Sequence, residues 1–204
     1  MTIKNALLQA AVIAATLLAP VARADINFSL NPTTQTVNVG GTFSYDLLVS
    51  GLTSGVSALG GYDITIGYAP AIVAPSLIAY TNRLGNPPFE AMQMNSFFAG
   101  TLEIVEVSLL SPAALLSRQT FAGSSFSLAT LTFDALAAGT SSLTLAVAAS
   151  GTVDQDGYLL NATTTDGQAI VTQSVSGVPE PSAIWLLVTA AGGVLALRRR
   201  KARK

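Results

Sequence analysis

Apolar and polar residues alternate along most of this chain, and that alternation restricts its fold more than any other feature. In the segment TFSYDLLVS (42–50), aromatic and aliphatic side chains at every second position are separated by Thr, Ser and Asp. The segments YDITIGY (62–68) and SLTLAV (142–147) repeat the pattern. Because successive side chains of a β-strand point to opposite faces, each segment predicts a strand with one face on a core.

Glycine-rich turns separate these runs, among them Gly40-Gly41, Gly60-Gly61 and Asp156-Gly157. The predicted strands are 25–31, 35–39, 42–50, 60–68, 76–80, 101–109, 125–135, 141–148 and 168–175. A tenth at 152–160 stays open, and helical turns are expected only near 70–73 and 112–117. About nine short strands with scarcely any helix predict an all-β, antiparallel sandwich.

The strand predicted at 101–109 departs from clean alternation. Leu102 and Ile104 share one parity, whereas Val105 and Val107 share the other. A β-bulge, or burial on both faces, would produce this pattern.

Charge is distributed very unevenly along the chain. Between Asp25 and Val178 there are two basic residues and ten acidic ones, and 2 − 10 gives a net charge of −8. Such a surface repels polyanions, so we expect no nucleic-acid partner. The chain has no His and no Cys, which excludes thiol nucleophiles, His-based triads, disulfides and the usual zinc ligands.

The first 24 residues have the composition of a secretory signal peptide. Lys4 precedes an apolar run at 6–19, and the small-residue pattern of Ala22 and Ala24 predicts cleavage before Asp25. An uncleaved N-terminal anchor is the alternative. The run of 14 apolar residues is short for a span, which needs about 20.

The other end of the chain combines an apolar stretch with a basic cluster. No residue from 183 to 197 is charged, and as a helix these positions would cover roughly 22 Å. The stop-transfer cluster that follows contains Arg198, Arg199, Arg200 and Lys201. Basic flanks resist translocation, so a transmembrane helix at 183–197 would leave the basic tail (198–204) in the cytoplasm and the preceding domain outside.

A short motif precedes that predicted helix: Val178, Pro179, Glu180, Pro181 and Ser182. The prolines keep the backbone extended and accessible to a processing enzyme. Motif, helix and basic tail together resemble the PEP-CTERM sorting signal of Gram-negative bacteria. The resemblance implies processing by an exosortase, transient anchoring in the inner membrane and release to the cell surface, in association with exopolysaccharide and biofilm. A permanent anchor stays open.

Three regions follow: a signal peptide (1–24), a β-sandwich (25–176) and a sorting signal (177–204). Within the second, LGGYDITIGYAPAIV (59–73) and FSLATLTFDALAAGTSSLTLA (126–146) are similar to segments of cohesin modules. The resemblance implies a nine-stranded jelly roll related to carbohydrate-binding modules, with a dockerin as partner in polysaccharide-degrading assemblies. Ala69 departs from the Asp usual in the family, so that turn is expected to lack one side-chain cap.

Without His and Cys, the best remaining catalytic apparatus is a carboxylate pair, as in glycoside hydrolysis. Glu103 and Glu106 are the closest glutamates, but their odd spacing sends them to opposite faces of a strand. We interpret both as solvated carboxylates on an exposed sheet face and expect no enzyme.

The motif DQDG (154–157) raises the question of calcium. It supplies only two of the oxygens that an EF-hand loop needs, so an Asp-Gly turn accounts for it. Asp154 and Asp156 stay open as calcium ligands, and no other cofactor or metal is expected.

Aromatic residues bear on what the domain binds. Trp185 falls in the tail, and Tyr45, Tyr62 and Tyr68 are in phase with core aliphatics. Tyr80 is expected at the surface, as is a long loop at 86–100 without a strand pattern. That loop's candidate binding residues are Phe89, Met92, Met94, Phe97 and Phe98, although a flap over the core stays an alternative.

The sequence thus favours an exported, surface-sorted, non-enzymatic binding or scaffold module of the extracellular exopolysaccharide matrix, with a glycan or protein partner. The alternative is a carbohydrate-binding module or a cohesin-type partner for dockerin-bearing enzymes of polysaccharide catabolism.

Overall fold

The computed structural model describes residues 25–120 and 125–173, and these residues form two packed β-sheets and one short helix. The strands are β1 Asp25–Asn31, β2 Thr34–Asn38, β3 Thr42–Ser50, β4 Leu59–Gly67, β5 Val73–Tyr80, β6 Ala91–Phe98, β7 Thr101–Ser108, β8 Ser125–Ala135, β9 Gly139–Asp154, β10 Asn161–Thr165 and β11 Gly167–Thr172. The helix, α1, is Pro112–Arg118. The all-β sandwich predicted from the alternation is confirmed.

Strand order assigns five strands to one sheet and six to the other. Sheet A has the order β10-β1-β3-β8-β5, and sheet B has the order β2-β11-β9-β4-β7-β6. The prediction of an antiparallel sandwich is wrong at two places, because β1 pairs with β10 and β2 with β11 in parallel. At both places a strand late in the chain lies beside one of the first two strands and runs in its direction.

The core lies between the two sheets and is formed by the predicted alternate positions. Phe43, Tyr45 and Phe133 pack together, with ring centroids 5.7 to 6.3 Å apart. The Tyr45 hydroxyl donates a 2.6 Å hydrogen bond to the Gln168 carbonyl, which links β3 of sheet A to β11 of sheet B. Burial raises the pKa of Tyr45 to about 12, so this donor keeps its proton at neutral pH.

Strand β9 differs from the prediction most in length. It has 16 residues and includes both the strand predicted at 141–148 and the beginning of the one considered at 152–160. A register shift between Tyr62 and Ile64 of β4 lets β9 bend and continue, since their partners are Thr152 and Val147. A separate strand at 152–160 is therefore wrong, and β10 follows at 161–165 instead.

Strands β6 and β7 correct two further predictions. The segment predicted as a loop at 86–100 contains β6, which pairs with β7 over its whole length. Strand β7 also pairs without interruption with β4, so the bulge expected there is absent from these pairings. Val107 is 40% exposed, and burial on both faces is therefore wrong as well.

Several predictions lie outside the described residues. These are the signal peptide with Ala22 and Ala24, the sorting motif at 178–182, and the apolar segment with Trp185 and its basic tail at 183–204. Asp25, the predicted first residue after cleavage, begins β1. Within 25–120 and 125–173, no helix has the length and apolar character that crossing a membrane requires.

Candidate binding surface

The β6–β7 hairpin forms one edge of sheet B. A two-residue turn, Ala99-Gly100, joins the strands. Gly100 has φ +85°, a backbone conformation that residues with a Cβ rarely adopt. The pairing places Met92 opposite Val107 and Met94 opposite Val105. The turn therefore fixes which side chains share a face of the hairpin.

One face of this hairpin presents apolar side chains to solvent. Leu102 and Ile104 of β7 point into the core, so residues of the opposite parity in β7, and their partners in β6, point outward. This apolar strip consists of Met92, Met94, Phe98, Val105 and Val107. Met92 and Met94, 52% and 55% exposed, adjoin Val107 and Val105, and contiguous exposed apolar side chains mark interaction sites. Phe98, 60% exposed, lies on the same face beyond Ser96 and Glu103.

Small and acidic residues surround the apolar strip on the outer face of sheet B. Strand β4 contributes Asp63 and Thr65 beside β7, and Ala146 of β9 pairs with Thr65. Glu103 lies on the same face of β7 as Val105. The arginines of the described residues, Arg83 and Arg118, lie outside all of the strands. This face therefore offers flat apolar contact with negative charge at its border.

The inner face of the same hairpin contains a buried carboxyl group. Glu106 is fully buried, and its carboxyl accepts hydrogen bonds from the Tyr62 hydroxyl at 2.9 Å and from Gln93 Nε2 at 2.7 Å. Burial raises the pKa of Glu106, and these two hydrogen bonds offset only part of that effect.

The prediction of a solvated Glu106 is wrong, because Glu106 points to the same inner face as Leu102 and Ile104. The apolar Val105 interrupts the alternation in the sequence and hides this relation. Glu103 and Glu106 do lie on opposite faces, as their spacing predicts. They cannot flank one scissile bond.

Two tyrosine hydroxyls fix β6 from neighbouring strands. Tyr80 of β5, in sheet A, donates to the Met94 carbonyl at 2.8 Å. Tyr68, which directly follows β4, donates to the Phe98 carbonyl at 2.7 Å. Tyr80 packs partly buried against the core, so its expected surface position is wrong. Burial raises the pKa of Tyr80, which keeps the donor protonated.

The five predicted binding residues separate into three groups. Met92, Met94 and Phe98 belong to the apolar strip, whereas Phe97 has the opposite parity in β6. Phe89 is 88% exposed in the loop before β6. The sequence interpretation missed Val105 and Val107, and the parity of the hairpin register is the signal that could have found them.

The DQDG segment forms a turn, as predicted. Asp154 Oδ1 accepts hydrogen bonds from the backbone N–H groups of Asp156 and Tyr158, both at 2.9 Å, and Gly157 has φ +81°. Among the residues that the structure describes, no three acidic side chains converge as metal ligands. Asp154 Oδ1 therefore already serves the turn.

Solved structures of cohesins are similar to this sandwich. No protein-family model and no curated protein sequence matches the chain. A chain from a type I cohesin–dockerin complex of Clostridium thermocellum has a TM-score of 0.58 at 10% identity, covering 76% of this chain and 99% of its own length. CaCohA2 from Clostridium acetobutylicum has a TM-score of 0.55 at 17% identity, and the match covers 74% of this chain and 92% of CaCohA2. A type II cohesin domain from the cellulosome of Acetivibrio cellulolyticus has a TM-score of 0.52 at 18% identity, and the match covers 72% of this chain and 95% of that domain. The described residues therefore have a cohesin-domain fold.

Proposed function

We propose that this chain is a non-enzymatic, protein-binding module of the cohesin type, which holds a dockerin-like partner on the outer face of sheet B. The observation that carries the proposal is the apolar strip, where two in-register pairs, Met92–Val107 and Met94–Val105, expose apolar surface on a cohesin-domain fold. Cross-strand neighbours of this kind form one continuous patch. Methionine adapts its shape to a partner and is enriched at protein interfaces.

The charge of this face indicates the chemistry of its partner. Asp63 and Glu103 border the apolar strip, and the chain from Asp25 to Val178 has a net charge of −8. A partner should insert apolar side chains between the strands and present Lys or Arg to the border. Complementary charge of this kind accelerates association more than it strengthens the complex.

A glycan partner is the second candidate, because Phe89, Phe97 and Phe98 are all exposed. Three features favour a protein instead. The three phenylalanines do not share one plane of β6, their rings carry no hydroxyl to orient a sugar, and the hydroxyls of Tyr68 and Tyr80 already donate to β6 carbonyls. Sugar recognition needs convergent polar groups beside the rings.

Binding measurements on the purified sandwich (25–173) test the proposal. The protein is titrated with recombinant type I and type II dockerin modules by isothermal titration calorimetry and is applied in parallel to a glycan array. We expect saturable binding to at least one dockerin and no saturable glycan binding. Glycan binding that is lost on changing Phe97→Ala and Phe98→Ala, with no dockerin bound, would replace the protein-binding function with the glycan-binding one.

Export and surface sorting belong to the same proposal. The predicted signal peptide, the motif at 178–182 and the apolar segment with its basic tail support delivery of the sandwich to the cell surface by way of an exosortase. A surface location in an exopolysaccharide matrix would give the module access to secreted partner proteins.

A further inference from the structure

Strand β6 is a sheet edge that lacks the features that usually protect an edge from pairing with another strand. The edge strands are β10 and β5 in sheet A and β2 and β6 in sheet B. Strands β2 and β10 have five residues each, and β5 contains Pro75 and a register shift. Strand β6 (AMQMNSFF) has eight residues without charge, proline or register shift. Natural sheets usually protect an edge with such devices, and an unprotected edge pairs with another strand.

We propose that β6 pairs with β6 of a second copy of this chain, which joins two sheets B across a twofold axis. Charge favours a second copy at this edge, because β6 is neutral in a domain of net charge −8. Glu90, just before β6, is paired with Arg118 at 3.0 Å. The other nearby acids, Glu103 and Glu106, lie on β7, one strand back from the edge, and Glu106 is buried and hydrogen-bonded to Gln93. Two copies can therefore meet here without bringing unpaired like charges together.

Backbone geometry fixes which residues can pair. Just before β6, the Glu90 carbonyl accepts a 2.7 Å hydrogen bond from the N–H of Leu109, which follows β7. Hydrogen-bonded pairs recur at every second residue, so the even-numbered residues of β6 bond to β7. In an antiparallel pair the orientation alternates, so the backbone N–H and C=O groups of Gln93, Asn95 and Phe97 point away from β7. The tyrosine hydroxyls bond to Met94 and Phe98 carbonyls, which are even-numbered, so the outward-pointing groups stay available.

One symmetric register uses all of these groups. Gln93 of each copy pairs with Asn95 of the other, and Ala91 pairs with Phe97. Met94 then faces its own counterpart on the twofold axis, at a position without direct hydrogen bonds. Because such an axis is perpendicular to the sheet, both outer faces lie on the same side and the two apolar strips become adjacent.

Disulfide trapping in the sandwich (25–173), which contains the whole described core, tests this register. The chain has no Cys, so each variant has a single thiol. In Met94→Cys the two Cα atoms would be about 4.5 Å apart, within the range that a disulfide spans. In Met92→Cys, the matched control with nearly equal exposure, the four-residue offset separates them by about 13 Å.

We expect oxidised Met94→Cys to form a covalent dimer on a non-reducing gel and Met92→Cys to remain monomeric. In sedimentation experiments without any dockerin, the unmodified sandwich should dimerise. In Asn95→Lys, the protein concentration at which half of the chains are dimeric should be at least about tenfold higher. Each dimer would bring two added lysines together at the paired edge, and they would repel each other. An unmodified sandwich that is monomeric at its highest soluble concentration would overturn the proposal, as would Met92→Cys cross-linking as fast as Met94→Cys. Neither result would contradict the separate proposal that the sandwich binds a dockerin.

Discussion

At the scale of single residues, Glu106 shows how parity decides the environment of a side chain. It lies between Tyr62 and Gln93 in a row that crosses β4, β7 and β6 on the inner face of sheet B. The sequence suggested an exposed carboxylate because Val105 and Val107 disturbed the alternation. Once β7 is placed with Leu102 and Ile104 inward, Glu106 must be buried.

The stability of Glu106→Gln relative to the unmodified protein should rise with pH. Burial raises the pKa of Glu106 in the folded chain. Between its ordinary pKa and the raised one, the folded chain binds a proton that the unfolded chain has lost, so the free energy of unfolding falls with rising pH. Glutamine does not titrate, and all other groups are common to both proteins. The difference in unfolding free energy, from urea denaturation at several pH values, should widen upward from the ordinary Glu pKa. A difference that is constant with pH would contradict the burial of this carboxyl.

A second residue-level finding concerns Ala69. The departure from Asp predicted a turn that lacks one side-chain cap. In the structure, the Ala69 N–H donates to Ser141 Oγ of β9 at 2.9 Å. A hydroxyl from a distant strand therefore satisfies the backbone N–H of Ala69, and only the folded arrangement of β9 could reveal this contact.

At the scale of elements, prediction succeeded where alternate apolar side chains are buried and failed at the edge strands β6 and β10. The bounds of β1, β3 and β8 agree with the sequence prediction because their apolar side chains, apart from Leu48, are buried. Strand β6 was missed because its alternating methionines point outward, opposite to the usual pattern. The apolar strip was accordingly predicted only in part, since Val105 and Val107 join it through the register of the hairpin.

The contact between β4 and β9 gives a sharp test at this scale. A Cβ at Gly60 would lie 2.1 Å from the Asp154 carbonyl oxygen, which is backbone and cannot move alone. Gly60→Ala should therefore lower the free energy of unfolding by about 1–3 kcal/mol. Gly61→Ala is the matched control, because its nearest neighbour would be at 3.3 Å. Chemical denaturation of both variants measures the difference, and equal losses would contradict the close approach of the two strands.

At the scale of the whole molecule, the sandwich stands in the sequence between a predicted signal peptide (1–24) and a predicted sorting signal (177–204). Deleting residues 179–204 should leave the sandwich folded, because the described core is complete by Val171. The truncated protein should be released from the cell rather than retained and processed at the surface. Cell fractionation with circular dichroism of the secreted product measures both effects. Unchanged surface retention would contradict the sorting proposal.

Two charge substitutions, compared with the unmodified protein, test whether the apolar strip binds a partner protein. Met94 and Leu77 are similarly exposed, at 55% and 59%, but Met94 lies on sheet B and Leu77 on sheet A. For the dockerin that binds most tightly, calorimetry should give a dissociation constant at least about 30-fold weaker for Met94→Glu, as for a contact worth 2 kcal/mol. Leu77→Glu should bind like the unmodified protein. Equal affinities for all three proteins, or a loss of affinity on Leu77→Glu alone, would contradict binding of the partner at the apolar strip.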